Sequence, residues 1–182
     1  RILSLGSNLV MLFPGAPSVR GVQGAVGSYS RLTLDDVKAV QNASPNISDI
    51  YGEVESNVRV VYKNNNAVTE LQGVPANYES IRNAKPQVGR FFTEQEDLGR
   101  ARVVLLGQTV VNQLFGNADP LGETVKINRE NFKVIGLLPA KGGSGFSDQD
   151  DMVAIPLHTG MKRVVNTVYL HEMAIQCSSP EF

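Results

Sequence analysis

Asp148, Asp150 and Asp151 crowd three carboxylates into "DQDD", directly ahead of the apolar run "MVAIPL". Clustered carboxylates suit hard cations such as Ca²⁺ or Mg²⁺, which take oxygen ligands. The spacing argues against a metal, because the stretch lacks both the regular i, i+2, i+4 ligands and the distal Glu of a calcium-binding loop. It reads as a solvated loop entering a strand, and changing all three to Asn is expected to leave folding unchanged and to remove no metal-dependent stabilisation. Gly142 to Gly145, "GGSG", has the composition of a phosphate cradle, but no Lys-Ser/Thr follows and no strand-then-helix context surrounds it. The two imidazoles, His158 and His171, belong to no triad or metal pair and are expected to be surface or half-buried groups. Glu94, Glu96 and Asp97 could serve acid/base chemistry. Within "TEQED" they read as the polar first turn of a helix capped by Thr93. Catalytic, cofactor-binding and metal residues are therefore each expected to be none.

The bulk composition narrows the class. A chain of 182 residues with 42% hydrophobic content can bury a core, as one domain or two small subdomains. Lys and Arg total 17 against 18 Asp and Glu, so the net charge of -1 gives no general reason to expect nucleic acid or an anionic membrane. Cys177 is the single cysteine, which removes an internal disulfide and a cysteine-based zinc site. "RILSLGSNLVMLFPG" lacks the apolar length of a signal peptide or a membrane span. Both ends are expected to be cuts in a longer protein.

Strands and short helices alternate along the chain. "NLVMLF" is a strand closed by Pro14 and Gly15, followed by a long loop to Ser30. Thr33, with Asp36 three residues on, caps a helix whose Leu34, Val37 and Val40 share a face and which ends near Ala43. Alternation then predicts strands near 47–54, 57–63 and 67–74, with a hairpin turn at "KNNN", and a short helix from Asn77 through Ala84. "ARVVLL" is a buried strand, turned by Gly107 into a helix that presents Val110, Val111, Leu114 and Phe115 and stops at Gly116. "DPLG" leads to a strand at 123–127, a turn at "NRE" and a strand with Phe132 and Val134 on one side. "MVAIPL", a helical turn at 158–165 and the strand "VYLHEMAIQC" complete the chain.

"LGSNLVMLFPG", "LTLDDVKAV", "VGRFFTEQED", "ARVVLLGQTVVNQLFG", "DPLGETVKINRENFKVIGLL" and "QDDMVAIPL" follow one another in the order found in the extracytoplasmic core domain of MacB-type ABC transporter permeases, in the MacB/FtsX-like family. The chain resembles that domain over nearly its whole length. No one of these stretches is diagnostic; their order and spacing are what carry the resemblance. It implies an α+β fold in which a Porter-like α/β subdomain carries an inserted β-rich Sabre-like subdomain. Porter would occupy residues 1–87 and 165–182, and Sabre 88–164. The family continues past the last strand with a further helix and strand, so the Porter part is expected to be truncated.

The resemblance also implies a function. In the family, a separate cytoplasmic domain hydrolyses ATP, and this domain would transmit the motion at the periplasmic face of the inner membrane. Its partners would be the permease's own transmembrane helices, a second permease copy in a homodimer, a periplasmic membrane fusion protein and a TolC-like outer-membrane duct, with no nucleic acid and no cofactor. The chain itself is expected not to be an enzyme, since it carries no Walker sequence. Gly142, Gly143, Ser144, Gly145, Phe146, Ser147 and Asp148 are the expected partner contacts, with Phe146 as an apolar anchor on a Gly/Ser frame. The competing reading of Phe146 folds it back on its own lobe. Two further functions compete: a related FtsX/LolE-like permease for lipoprotein release or cell-envelope signalling, and a secreted ligand-binding or hydrolytic domain.

Overall fold

The computed structural model describes residues 2–4, 8–14, 18–19, 22–23, 31–141, 143–144 and 147–178. In chain order the elements are β1 (Ile2–Ser4), β2 (Leu9–Leu12), β3 (Ser18–Val19), β4 (Val22–Gln23), α1 (Leu34–Ala43), β5 (Ile47–Tyr62), β6 (Asn65–Val74), α2 (Tyr78–Ile81), β7 (Val88–Gly89) and α3 (Glu94–Leu98). They continue with β8 (Val103–Leu106), α4 (Gln108–Leu114), β9 (Thr124–Ile127), β10 (Glu130–Leu137), β11 (Gly143–Ser144), β12 (Ser147–Asp148), β13 (Met152–Pro156), α5 (Leu157–Thr159), a π-type turn (Gly160–Val164) and β14 (Glu172–Cys177). Packing divides the chain into two compact units, residues 1–54 with 167–182, and residues 55–166.

In the first unit β14 lies between β2 and the first half of β5, antiparallel to both, and β1 extends the sheet beyond β2. Ile50, Tyr51, Met173 and Ala174 are buried in it. α1 begins as the sequence predicts. The Thr33 hydroxyl accepts from the Asp36 N–H, and the Asp36 carboxylate accepts from the Thr33 N–H at 2.8 Å, a reciprocal capping box. The final strand is shorter than "VYLHEMAIQC": it starts at Glu172, while Leu170 only bridges Leu32.

The second unit is a closed barrel. The second half of β5 pairs with β6, β6 with β13, β13 with β8, β8 with β10, and β10 with β9; β9 returns to β5 through Val60↔Ile127 and Val61↔Lys126. Side chains alternate across a strand, so closure sends one set inward. Val58, Val60, Ala67, Leu71, Val104, Leu106, Val125, Ile127, Phe132, Val134, Val153 and Ile155 belong to one buried cluster, which Val110, Val111 and Leu114 of α4 and Phe115 just after it join. Asn65 Nδ2 donates to the Leu114 carbonyl at 3.0 Å, and Tyr62 stacks on Phe115 at 4.1 Å, tying the β5–β6 hairpin to α4.

Three expectations change here. β5 is one strand from 47 to 62, where two were expected, because Glu55 and Ser56 are no breakers and the strand changes neighbours there without ending. The hairpin at "KNNN" places Lys63, and not an Asn, at positive φ. α2 stops at Ile81, and Asn77 makes no side-chain cap bond to it. Gly107 does start α4, yet its φ of -71° is ordinary. A Cβ there would collide with the backbone oxygens of Asp150 and Met152, so glycine is required by close approach.

Phe132→Ala, at a side chain with 0% exposure, is expected to cost about 3–5 kcal/mol in a urea melt. Val68→Ala, at 61% exposure on the outer wall, is expected to change stability by less than about 0.5 kcal/mol.

Candidate functional site

The segment expected to meet a partner sits on a built stem. β11 and β12 pair antiparallel, Gly143 opposite Asp148 and Ser144 opposite Ser147. Gly142, Gly145 and Phe146 lie outside the described residues. Below the stem, the three aspartates diverge. Asp148 Oδ2 accepts from the Thr109 hydroxyl at 2.6 Å and its Oδ1 from the Asp150 N–H at 2.9 Å. Asp150 Oδ1 accepts from the Lys141 N–H at 2.8 Å. Asp151 Oδ1 accepts from the Thr69 hydroxyl at 2.7 Å. Two further backbone bonds, from the Gly107 N–H to the Met152 carbonyl and from the Thr109 N–H to the Asp150 carbonyl, lock the entry of β13 onto the start of α4.

The carboxylates therefore act as pins in three directions and do not converge on one ion. They are more than the solvated charges expected from the sequence. Asn keeps an accepting oxygen at each position, but loses the charge-assisted part of each bond. Thr69 is 4% exposed, so removing its acceptor strands a buried hydroxyl. The Thr109 hydroxyl, and after it the Asp150 N–H, hold the Asp148 carboxyl below its ordinary pKa.

The acidic run at 94–97 is split by burial. Thr93 caps α3 as expected, and the structure adds Glu96 as its reciprocal partner in a capping box; Glu96 also takes Arg90 Nη1 at 2.6 Å, and that guanidinium is the main reason the Glu96 pKa is lowered. Asp97, expected in a polar turn, is only 4% exposed. Its Oδ1 accepts from the His158 N–H at 2.9 Å and faces His158 Nδ1 at 3.0 Å, fastening α3 to α5. Sequence reasoning missed this pair, and no local pattern could have shown it across 61 positions. His171 precedes β14 and is not within it, and its N–H donates to the Glu53 carbonyl at 2.8 Å. The candidate acids and imidazoles thus serve capping, anchoring and element-to-element contacts.

On β6, Glu70 has a raised pKa, first because burial penalises its charge and then because Glu55 is near. Its folded-state value lies above the unfolded one, so whatever stability its proton confers is complete below the unfolded pKa and is lost as pH rises through the folded pKa.

The chain is a mixed α+β domain in which the candidate acids and imidazoles hold elements together, and no catalytic family is indicated for it. The family described as MacB-like periplasmic core domain matches residues 1–181, and the chain belongs to that family. It is 43% identical over 182 residues to the macrolide export ATP-binding/permease protein MacB of Chlorobaculum tepidum, covering 100% of this chain and 28% of that protein. The corresponding protein of Bdellovibrio bacteriovorus is 40% identical over 176 residues, covering 97% and 27%. The chain thus spans about a quarter of the length of these relatives. The periplasmic region of MacB from Actinobacillus actinomycetemcomitans superposes with a TM-score of 0.76 at 22% identity, over 95% of this chain and 76% of that one. The extracellular domain of the transporter YknZ from Gram-positive bacteria gives 0.69 at 21%, over 82% and 74%. Those two likenesses establish the α+β fold.

Three substitutions test the pins and the half-buried Glu70 carboxyl. Asp151→Ala is expected to destabilise by about 1–3 kcal/mol through the stranded Thr69 hydroxyl, whereas adding Ca²⁺ or Mg²⁺ should leave the melting temperature of the wild-type chain unchanged. Thr109→Val should raise the Asp148 pKa towards its ordinary value in an NMR titration. Because the wild-type value is depressed, the stability this bond gives is present above the unfolded pKa and fades as pH falls through the folded one. Glu70→Gln should flatten the loss of stability with rising pH, seen as a higher melting temperature at pH above neutrality and no gain in acid.

Proposed function

We propose that this chain is the extracytoplasmic part of a MacB-type ABC permease at the periplasmic face of the inner membrane, and that it transmits ATP-driven motion to partners that expel periplasmic substrates. The observation that carries the reading is the family match over residues 1–181, with 43% identity to a macrolide export permease. ATP hydrolysis would belong to a separate cytoplasmic domain of the parent protein. The chain would work in a homodimer, contacting a membrane fusion protein that leads to a TolC-like duct. In this reading Porter comprises residues 1–87 and 165–182 and Sabre 88–164; by packing, residues 55–87 group with the barrel.

The stem of residues 143–148 supports the partner-contact part of the reading. Asp148 on Thr109 and Asp150 on Lys141 hold both sides of its base. A recognition segment on a pinned base loses less conformational entropy on binding than a free one. Phe146, between the two short strands in sequence, would supply the apolar anchor.

The test uses the full-length parent transporter expressed with its fusion protein in an efflux-deficient strain. The wild type should raise macrolide resistance, and Phe146→Asp should lower both resistance and co-purification of the fusion protein, co-purification by roughly tenfold, without altering the melting temperature. Unchanged co-purification would remove Phe146 and its loop from the contact, and the absence of any resistance from the wild type would remove macrolide efflux.

A further inference from the structure

The outer wall of the barrel carries a feature that composition conceals. Arg59, Val61, Lys126, Asn128 and Arg129 line an open groove of about 300 Å³ between β5 and β9. Val61 sits directly opposite Lys126, so both point outward while their neighbours Val60 and Ile127 point into the barrel. Arg59 is two residues before Val61 and shares its face. The Asn128 N–H donates to the Arg59 carbonyl at 3.4 Å, and Asn128 and Arg129, with φ of 48° and 75°, form the tight β9–β10 turn that aims Arg129 at the same place. Lys133 of β10 lies opposite Thr124, one step along the same wall from Lys126.

Among the described residues the side-chain ion pairs are Arg90–Glu96, Arg102–Glu130 and His158–Asp97, and none involves Arg59, Lys126 or Arg129. Three cations thus converge without a carboxylate between them, in a chain whose total charge is -1. Like charges held together raise one another's energy, and an incoming anionic group relieves that repulsion. Side chains on one face of a strand recur about every 6.8 Å, twice the rise per residue, and an extended peptide has the same repeat. The floor supplied by Val61 and the aliphatic stems of Lys126 and the arginines suits the backbone and small side chains of such a peptide.

We propose that this groove docks an extended, acidic segment of a partner protein, with carboxylates at alternate positions meeting Arg59, Lys126 and Arg129. The inference stands on the groove alone and does not require the transport reading. Exposed charge pairs are individually weak, so the contact gives register and encounter rate and weakens with salt.

The experiment is fluorescence anisotropy on the whole chain with a labelled peptide of about ten residues, long enough to run the wall, alternating Glu with Thr. A peptide with Lys in place of Glu is the control. The acidic peptide is expected to bind at about 0.05 M salt and to weaken at about 0.3 M, where the screening length is shorter. The triple variant Arg59→Gln, Lys126→Gln, Arg129→Gln should weaken it by roughly tenfold. The charge-matched variant Lys38→Gln, Lys85→Gln, Lys162→Gln, at exposed positions elsewhere, should bind as the wild type does. Equal weakening in both variants would mean unspecific attraction and would overturn the proposal. So would failure of the acidic peptide to bind, or groove-dependent binding only to vesicles of phosphatidylcholine and phosphatidylglycerol, which would assign the cations to a lipid surface. All substituted side chains are exposed, and melting curves of the two variants matching the wild type confirm that folding is not what the assay reads.

Discussion

Closure of the barrel by β9 is the constraint on which the second unit depends. This strand has four residues, yet it pairs with β10 on one side and β5 on the other. An open sheet would present unpaired N–H and C=O groups at that edge, and closure satisfies them internally. It also encloses Phe132, Ile127 and Val60, each with 0% exposure, and so brings residues far apart in the chain into one dry interior. The two-residue turn at Asn128 and Arg129 makes this possible, because positive φ at both positions gives a hairpin whose twist matches its strands.

A second constraint ties the loop region to that interior. The β8-to-α4 turn passes so close to the entry of β13 that only glycine fits at 107. Asp148, Asp150 and Asp151 then fix the same entry from three sides. The acidic run is thus a structural joint between α4, β6 and the base of the β11–β12 pair. Its chemistry here is hydrogen-bond acceptance, from Thr109, Lys141 and Thr69 in turn.

The Asp97–His158 contact is a joint of the same kind. One carboxylate oxygen takes both a backbone N–H and an imidazole nitrogen, and with the bond from the Thr159 hydroxyl to the Ala101 carbonyl it holds α5 against the segment that follows α3. Polar side chains buried at such joints must be hydrogen-bonded, since an unpaired one is costly away from water. The basic groove between β5 and β9, by contrast, has its charged side chains exposed.

Local physics made a good part of this legible. The capping boxes at Thr33–Asp36 and Thr93–Glu96, the helix from 108 to 114 and its stop at Gly116, and the strands at 103–106, 124–127 and 152–156 all follow from side-chain chemistry acting over a few residues. The order of short, individually weak motifs sufficed for the family. What the chain alone could not declare depends on long-range pairing. β5 runs unbroken because its neighbours change along it, Asp97 is buried because α5 lies over it, and Arg59 meets Lys126 and Arg129 only because β9 closes on β5. Propensity and capping act within a turn of chain, whereas ring closure, burial and the sharing of a face are decided by which distant strand supplies the hydrogen bonds.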